Sequence, residues 1–492
     1  MRPSAIGLVT AVLLATPAYA QTPSPPLPPA TEPPHSEQRT AQAAAQQPPT
    51  PEAPPAATPP PAEAKPPAPE PKPVTTKGDI TLYGIVDFTA FYDSVQNFGG
   101  EGAGNTAIPR DGSYAAEHHR LQFSPRGSRF GMKLAAPEFD GIKMTGQIEA
   151  DFVGNAFAPG GETGFYTNPT LRIRHAWGKI SAGGVDLTIG QTWQLFGWVP
   201  SAVSYSVMVA GLPGQVYSRN GQIRVSKVVK GDAMNIEFAG AAVRPVERDS
   251  ATPDGQAGVR VLLNKFQTAR TPGPSPGVVE PASIGVSGIV RRFEVPAFEA
   301  GTTDSLTTTG FGVAADILFP IIPAASKEHR ASALTLTAEA VYGEGIADLY
   351  TAFTGGIALP TALPDPDPTD GMPAPAYAAG VDNGLVSLTP DGTDLEAIKW
   401  TTLTGGLQYF ATESVFLAAN GSYLKSSNIG DLAPAGSTAV YDKAFFFDGM
   451  IGWDIVPATA RVGLEFASFH QTYVDDEDAS SYRIQLGSWY QF

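Results

Sequence analysis

The chain has 492 residues, of which 16% are charged, against about 25% in an ordinary soluble protein. Its 32 Lys+Arg and 48 Asp+Glu leave a net charge of −16, which excludes the basic footprint of a nucleic-acid binder. Cysteine is absent, so disulfide frameworks, zinc fingers and thiolate catalysis are excluded as well.

Arg2 supplies a positive n-region, Ala5 to Ala15 an apolar h-region, and Ala18-Tyr19-Ala20 a small-residue cleavage site. That is the pattern of a secretory signal peptide, here cut before Gln21. The apolar run is far shorter than the ~20 residues a spanning helix needs, and no later stretch reaches 18 apolar residues. Residues 21–77 hold 20 of the 47 prolines. Proline removes helix and ladder hydrogen bonds, so this segment reads as a disordered, semi-extended periplasmic arm. At about 3.1 Å per residue its reach is at most ~180 Å.

Residues 78–492 carry one repeated signal, alternation with period two in segments of ten to sixteen residues. Ile142, Met144, Ile148, Ala150 and Phe152 alternate with Lys143, Thr145, Gln147, Glu149 and Asp151. Leu171 and Ile173 alternate with Arg172 and Arg174, and Val462, Leu464 and Phe466 with Arg461, Gly463 and Glu465. Such strands separate two media. Soluble sandwich strands run to about five or six residues, whereas tilted strands of about ten suit a transmembrane antiparallel β-barrel.

Strands are expected near 79–93, 118–134, 142–153, 170–180, 185–193, 219–230, 233–245, 257–267, 282–294, 305–319, 332–345, 395–411, 413–427, 441–456, 459–473 and 480–492. Sixteen is an even number, as in single-chain bacterial barrels. Short connections (Pro137 to Gly141, Ser181 to Gly184, Gly231-Asp232, Pro457-Ala458) alternate with long ones (94–117, 194–218, 346–394). The alternation breaks at 268–281, a proline-containing connection that should be short.

Tyr482, Ile484, Leu486, Ser488, Tyr490 and Phe492 share one face of the last strand, which ends on an aromatic residue. This resembles the C-terminal signal read by the outer-membrane assembly machinery, and the terminal aromatics suit an interfacial girdle.

Ser128-Arg129-Phe130-Gly131-Met132-Lys133, Gly141-Ile142-Lys143 and Gln147-Ile148-Glu149 resemble strands two and three of the trimeric general porins. Leu171-Arg172-Ile173-Arg174-His175-Ala176-Trp177-Gly178 and Leu187-Thr188-Ile189-Gly190-Gln191-Thr192-Trp193 resemble strands four and five, in wording closest to the DcaP-like porins. The match covers 79–230 and the final strand; the middle of the chain matches by pattern only. The resemblance implies a sixteen-stranded homotrimer embedded in outer-membrane lipid, passing small, often anionic solutes, with dicarboxylates associated with the DcaP-like members. The proline-rich arm departs from general porins; a peptidoglycan contact is one reading of it.

On that fold, segment 194–218 follows strand five, where porins fold a loop into the lumen. It holds no charged residue, a departure from the general porins, whose loop usually carries carboxylates that face a basic wall. Trp193, Phe196, Trp198 and Tyr205 are its constriction candidates. Alternation places Arg120, Arg129, Lys133, Arg172, Arg174 and Arg224 on the polar face, as a pore-lining basic wall. Across 117–230 there are 12 Lys+Arg against 7 Asp+Glu, although residues 78–492 are acidic overall. Cationic walls concentrate anions and repel cations. Arg172 and Arg174 are expected to lack a carboxylate partner in the uncharged loop, which leaves their field to a passing solute. The alternative is that the arginines of this wall pair with Glu149, Asp151 and Glu237 across the lumen and give little selectivity.

Enzyme motifs fail. Ser422-Tyr423-Leu424-Lys425 fits S-x-x-K without its companions. Asp365, Asp367 and Asp370-Gly371 start like a calcium loop whose twelfth position is Ala376, not a carboxylate. No cofactor or metal is expected. The sequence reads as a Gram-negative outer-membrane porin, a passive diffusion channel for small hydrophilic anions such as carboxylates. A ligand-specific channel, for sugars for example, and a structural barrel tied to peptidoglycan by the arm are the alternatives.

Overall fold

The computed structural model describes residues 78–492 apart from 97–106, 155–169, 200–211, 246–250, 272–276, 327–328, 351–352, 361, 368, 373–374 and 376–380. The signal peptide and proline-rich arm expected over 1–77 lie outside the described residues, as does Tyr205.

Sixteen strands follow one another around a closed antiparallel barrel. They are β1 (Asp79–Asp93), β2 (Arg120–Ser124 and Arg129–Ala135), β3 (Lys143–Gly154), β4 (Thr170–Ala182), β5 (Val185–Trp193), β6 (Arg219–Lys230), β7 (Met234–Val243) and β8 (Asp254–Arg270). The second half comprises β9 (Val278–Pro296), β10 (Ser305–Ile322), β11 (Leu334–Glu344), β12 (Lys399–Phe410), β13 (Val415–Ser426), β14 (Tyr441–Val456), β15 (Ala460–Tyr473) and β16 (Asp478–Gln491). β2 is a single strand broken at Pro125, which has no N–H to give the ladder; both pieces pair with β1.

The barrel closes where β1 meets β16, in a register running from Ile85 opposite Gln491 to Asp93 opposite Arg483. Gly84 and Phe492 exchange both backbone hydrogen bonds, at 3.0 and 3.1 Å. A Cβ on Gly84 would stand 2.3 Å from the Phe492 ring, so glycine is what lets the terminal aromatic lie over the seam.

Connections at the end that holds Gly78 and Phe492 are short. Gly183 and Gly184, at φ +58° and +78°, make the two-residue β4–β5 hairpin, which requires positive φ at both positions. At the other end lie the long connections 94–119, 194–218 and 345–398. Around 268–281, β8 runs on to Arg270 and β9 starts at Val278, with a bulge at Pro281/Ala282. The bulge takes up Pro281 inside a strand, the connection shortens to 271–277, and the count of sixteen stands.

The alternation is turned inside out relative to a soluble protein. Leu82, Phe123, Leu171, Ile173 and Val290 are more than half exposed on the outer surface, while Asp93, Arg483, Glu465 and Gln485 are fully buried inside. Among the described residues no helix is long and apolar enough to cross a membrane; an apolar outer band on a closed barrel crosses with strands.

Candidate functional site

The interior has two unlike walls. On the arc from β2 to β8 many inward side chains are charged, some buried and others, such as Arg172, partly exposed. Glu149 and Asp151 on β3 face Arg172 and Arg174 on β4. Arg172 grips Asp151 with two bonds, Nε to Oδ1 at 3.0 Å and Nη2 to Oδ2 at 2.7 Å. Arg174 bridges the two acids, reaching Glu149 Oε1 at 2.5 Å and Asp151 Oδ2 at 2.8 Å. A register shift after Glu149 makes Arg174 the extra residue of a bulge, and so turns both Arg174 and His175 inward.

These pairs correct the expectation that Arg172 and Arg174 lack carboxylate partners. The uncharged loop does supply none, but the neighbouring strand supplies two. Arg129 lies 3.8 Å from Glu149. Tyr83 donates to Glu149 Oε2 at 2.8 Å and accepts from Gln147 Nε2 at 2.5 Å, and Trp177 Nε1 donates to Gln147 Oε1 at 3.2 Å. The acids are thus locked by hydrogen bonds as well as by charge.

The other expected cations divide. Arg120 sits apart at the far rim of β1–β2, 3.0 Å from Asp93, a carboxylate it shares with Arg483. Lys133 stands over the Tyr83 ring at 5.4 Å. Arg224 donates to Gln222 Oε1 at 2.9 Å and to the Trp193 carbonyl at 2.5 Å. Neither Lys133 nor Arg224 makes an ion pair.

Sequence reasoning missed Arg219 and Arg260. Arg219 opens β6 just beyond the inserted loop, where alternation gives little guide to direction. Its guanidinium covers the Trp193 ring at 4.5 Å and reaches Tyr217 at 5.8 Å; it makes no ion pair, and Nη1 is buried without a hydrogen-bond partner. Arg260 pairs with Glu237 at 2.7 Å and lies over Trp198 at 4.9 Å. Among the described residues, seven cations (Arg129, Lys133, Arg172, Arg174, Arg219, Arg224 and Arg260) cluster on this wall with three carboxylates, Glu149, Asp151 and Glu237. The same arc also holds Lys179 paired with Asp186, and Asp254 paired with Arg291 of β9.

The opposite wall is dry. Residues 194–199 and 212–218 fold inward and pack on it. The amides of Leu195 and Phe196 both donate to Gln256 Oε1, at 3.0 and 2.9 Å. Gly197 N donates to Ser287 Oγ at 2.9 Å, Trp198 Nε1 to the Val286 carbonyl at 3.1 Å, and Val216 N to Glu339 Oε1 at 2.8 Å. Trp198 fits because Gly258 and Gly285 leave room; a Cβ on Gly285 would lie 2.6 Å from its Cδ1.

Of the constriction candidates, Phe196 is fully buried and Trp198 nearly so. Neither offers a free face to a sugar. Trp193 ends β5 between Tyr217, at 4.5 Å, and His175, at 5.7 Å. The large connection 345–398 adds Ile346, Leu349, Tyr350 and Phe353 to the same apolar cluster, together with Trp400, Tyr441 and Phe446 of the wall. Its base is fixed by Arg291 of β9, which reaches Asp254 at 2.8 Å and Asp348 at 2.5 Å. On the last strand, Tyr482, Ile484, Leu486, Tyr490 and Phe492 all face outward. Among the described residues no group of three or more His, Cys, Asp or Glu side chains is set to hold a metal ion.

No protein-family model matches the sequence, and no curated protein sequence does. Among solved structures, the outer membrane channel DcaP of Acinetobacter baumannii superposes over 84% of this chain and 97% of its own, at 19% identity and a TM-score of 0.56. The chain has that channel's fold, as the resemblance in β2 to β5 implied. An anion-selective porin from Comamonas acidovorans matches over 84% of this chain and all of its own at 12% identity, with a TM-score of 0.46. The trimer form of OmpT from Vibrio cholerae matches over 85% and 100% at 11% identity, also at 0.46. At those scores the last two add nothing to the fold.

Proposed function

We propose that this barrel is a passive diffusion channel of the Gram-negative outer membrane for small hydrophilic anions, carboxylates among them. The single observation that carries the reading is the charge excess on the β2–β8 wall. Seven clustered cations stand there with three carboxylates. Among the described residues Lys133, Arg219 and Arg224 carry no ion pair, while Lys179 and Asp186 balance each other. Positive charge near low-dielectric walls raises the local concentration of anions. Arg172 and Arg174 compensate the charge of the two ionised acids, and so leave the unpaired cations uncompensated. Phe196 and Trp198, buried against the far wall, leave a sugar-stacking track without two of its rings.

The test is the reversal potential of single channels across a salt gradient. Wild-type channels should prefer anions, and the variant with Lys133→Gln, Arg219→Gln and Arg224→Gln should move toward no preference. Arg172→Ser with Arg174→Ser should also move it toward cations, because Glu149 and Asp151 are then left as uncompensated carboxylates on the wall. Cation preference in the wild type would end the proposal. Export by a cleaved signal peptide, a passive arm over 21–77 and a homotrimer complete the reading. A mature protein beginning at Gln21, full conductance after deletion of 21–77, and a trimer mass by light scattering in mild detergent are the results it expects.

A further inference from the structure

The outer face of the barrel carries a second charged feature, at the rim opposite the termini. On β14 the outward residues Phe445, Phe447, Ile451, Trp453 and Ile455 are all about half exposed, with Gly449 completing the row. From Ile455 to Phe445 is ten residues, which at ~3.3 Å each and a tilt near 40° is about 25 Å, the height of a barrel's apolar band. The next outward position is Lys443. On β13 the outward row runs Leu417, Ala419, Gly421, Tyr423, and then Lys425.

Lys425 and Lys443 are direct partners in the β13–β14 register. Tyr423 and Phe445, the pair below them, belong to the interfacial aromatics. Two like charges set opposite each other on adjacent strands are destabilising. Neither lysine makes an ion pair among the described residues: Lys399, on the adjacent β12, is the lysine that does, with Glu396 at 3.1 Å. The carboxylate beside them on the same strand is Asp442, the bulged residue next to Lys443, with Asp476 of the neighbouring turn close enough to act on it. A pair of cations just above an aromatic girdle stands at the level of lipid headgroups, where basic side chains attract anionic lipid.

We infer that Lys425 and Lys443 form a docking site for the phosphate of an outer-leaflet glycolipid headgroup, with the acyl chains lying along Tyr423, Phe445 and Phe447. The phosphate relieves the lysine–lysine repulsion, and the apolar row beneath holds the chains. The inference rests on the outer-membrane reading above, with this rim facing outward.

Native mass spectrometry of the purified full chain in mild detergent tests it, with bisphosphorylated lipid A as the probe. The dephosphorylated lipid and inorganic phosphate are the comparisons. Each lysine near a lipid surface is worth about fivefold in affinity, so Lys425→Gln with Lys443→Gln should weaken binding of the phosphorylated lipid about thirtyfold. Lys425→Arg with Lys443→Arg should retain it, which separates loss of charge from loss of fold. Asp442→Asn should tighten it, since a competing carboxylate is removed.

Equal binding of the dephosphorylated lipid, or no effect of the double glutamine variant, would overturn the site. Weaker lipid binding by Asp442→Asn would overturn it too, because the lysines would then be serving that carboxylate. Displacement of the lipid by millimolar inorganic phosphate would make this a free-phosphate site and refute the lipid. Conductance and ion preference of the glutamine variant in uncharged bilayers should equal wild type. A failure of the channel reading would show there, in wild-type protein, and is thus distinguishable.

Discussion

The arc β2–β8 and the arc β9–β16 follow the same alternation, yet their interiors are chemically opposite. On the first arc, inward residues such as Arg172, with its side chain 38% exposed, meet water. On the second, Thr335, Thr337, Thr402, Gln408 and Asp448 are wholly buried. Some short side chains of the dry arc find near neighbours: Thr335 Oγ1 donates to the Ala269 carbonyl at 2.7 Å, and Gln408 Nε2 to Thr271 Oγ1 at 2.5 Å. Others, such as Thr404 Oγ1, are buried without a hydrogen-bond partner. Long cations appear there chiefly where fully paired, as in Arg461 with Asp454 at 2.5 Å. Polarity of the inner face thus does not by itself make a pore wall. What decides is whether a connection folds in to cover it, and the described parts of the inserted connections pack on one side.

The largest expected effect sets an ion pair of the dry side against one of the wet side. Arg291→Met strands Asp254 and Asp348 as buried, unneutralised carboxylates, and removing one partner of a buried pair costs roughly 3–5 kcal/mol. Lys179→Met breaks the Lys179–Asp186 contact of 3.4 Å, whose side chains are 35% and 37% exposed, and should cost under about 1 kcal/mol. Urea midpoints of the two variants in detergent measure both. Equal losses would mean that the two arcs do not differ in hydration.

A smaller effect probes the inserted loop. Gly285→Ala drives a methyl into the Trp198 ring, and overpacking of this kind costs about 1–3 kcal/mol. Single-channel conductance should rise as residues 194–199 lose their seat. In a Trp198→Ala background the same substitution should cost almost nothing, since its only close contacts are with that ring. A penalty that survives in the double variant would place the strain elsewhere in the wall.

Strand number, order and outward face were legible because period-two alternation reports the boundary between lipid and interior directly. The strands expected near 142–153 and 459–473 reappear within two residues of their ends. The dryness of the far wall was not legible, because Thr402 or Gln408 in sequence looks the same whether a loop or water covers it. The pairing of Arg172 with Asp151 was legible only as the alternative to a free cation, because the choice depends on the β3–β4 register and on a one-residue bulge at Arg174. Arg219 was hidden for a related reason: it is the first residue after a loop, where the phase of alternation restarts.

The smallest effect belongs to the exposed rim. Arg110 Nη1 donates to Asp475 Oδ2 at 2.8 Å and to the Thr438 carbonyl at 3.2 Å, tying together three connections. The Arg110 hydrogen bond holds the Asp475 carboxyl below its usual range. A depressed carboxyl contributes stability that is fully present above the unfolded value, near 3.9, and lost as pH falls through the folded one. Hydrogen exchange of 107–111 and 474–477, corrected for intrinsic rates, should therefore be flat from pH 8 to about 5 and faster only below about 4. Arg110→Ala should show the faster exchange at neutral pH and lose the acid dependence. A rise beginning above pH 5 would assign the contact to a different group, because Asp475 is still ionised there.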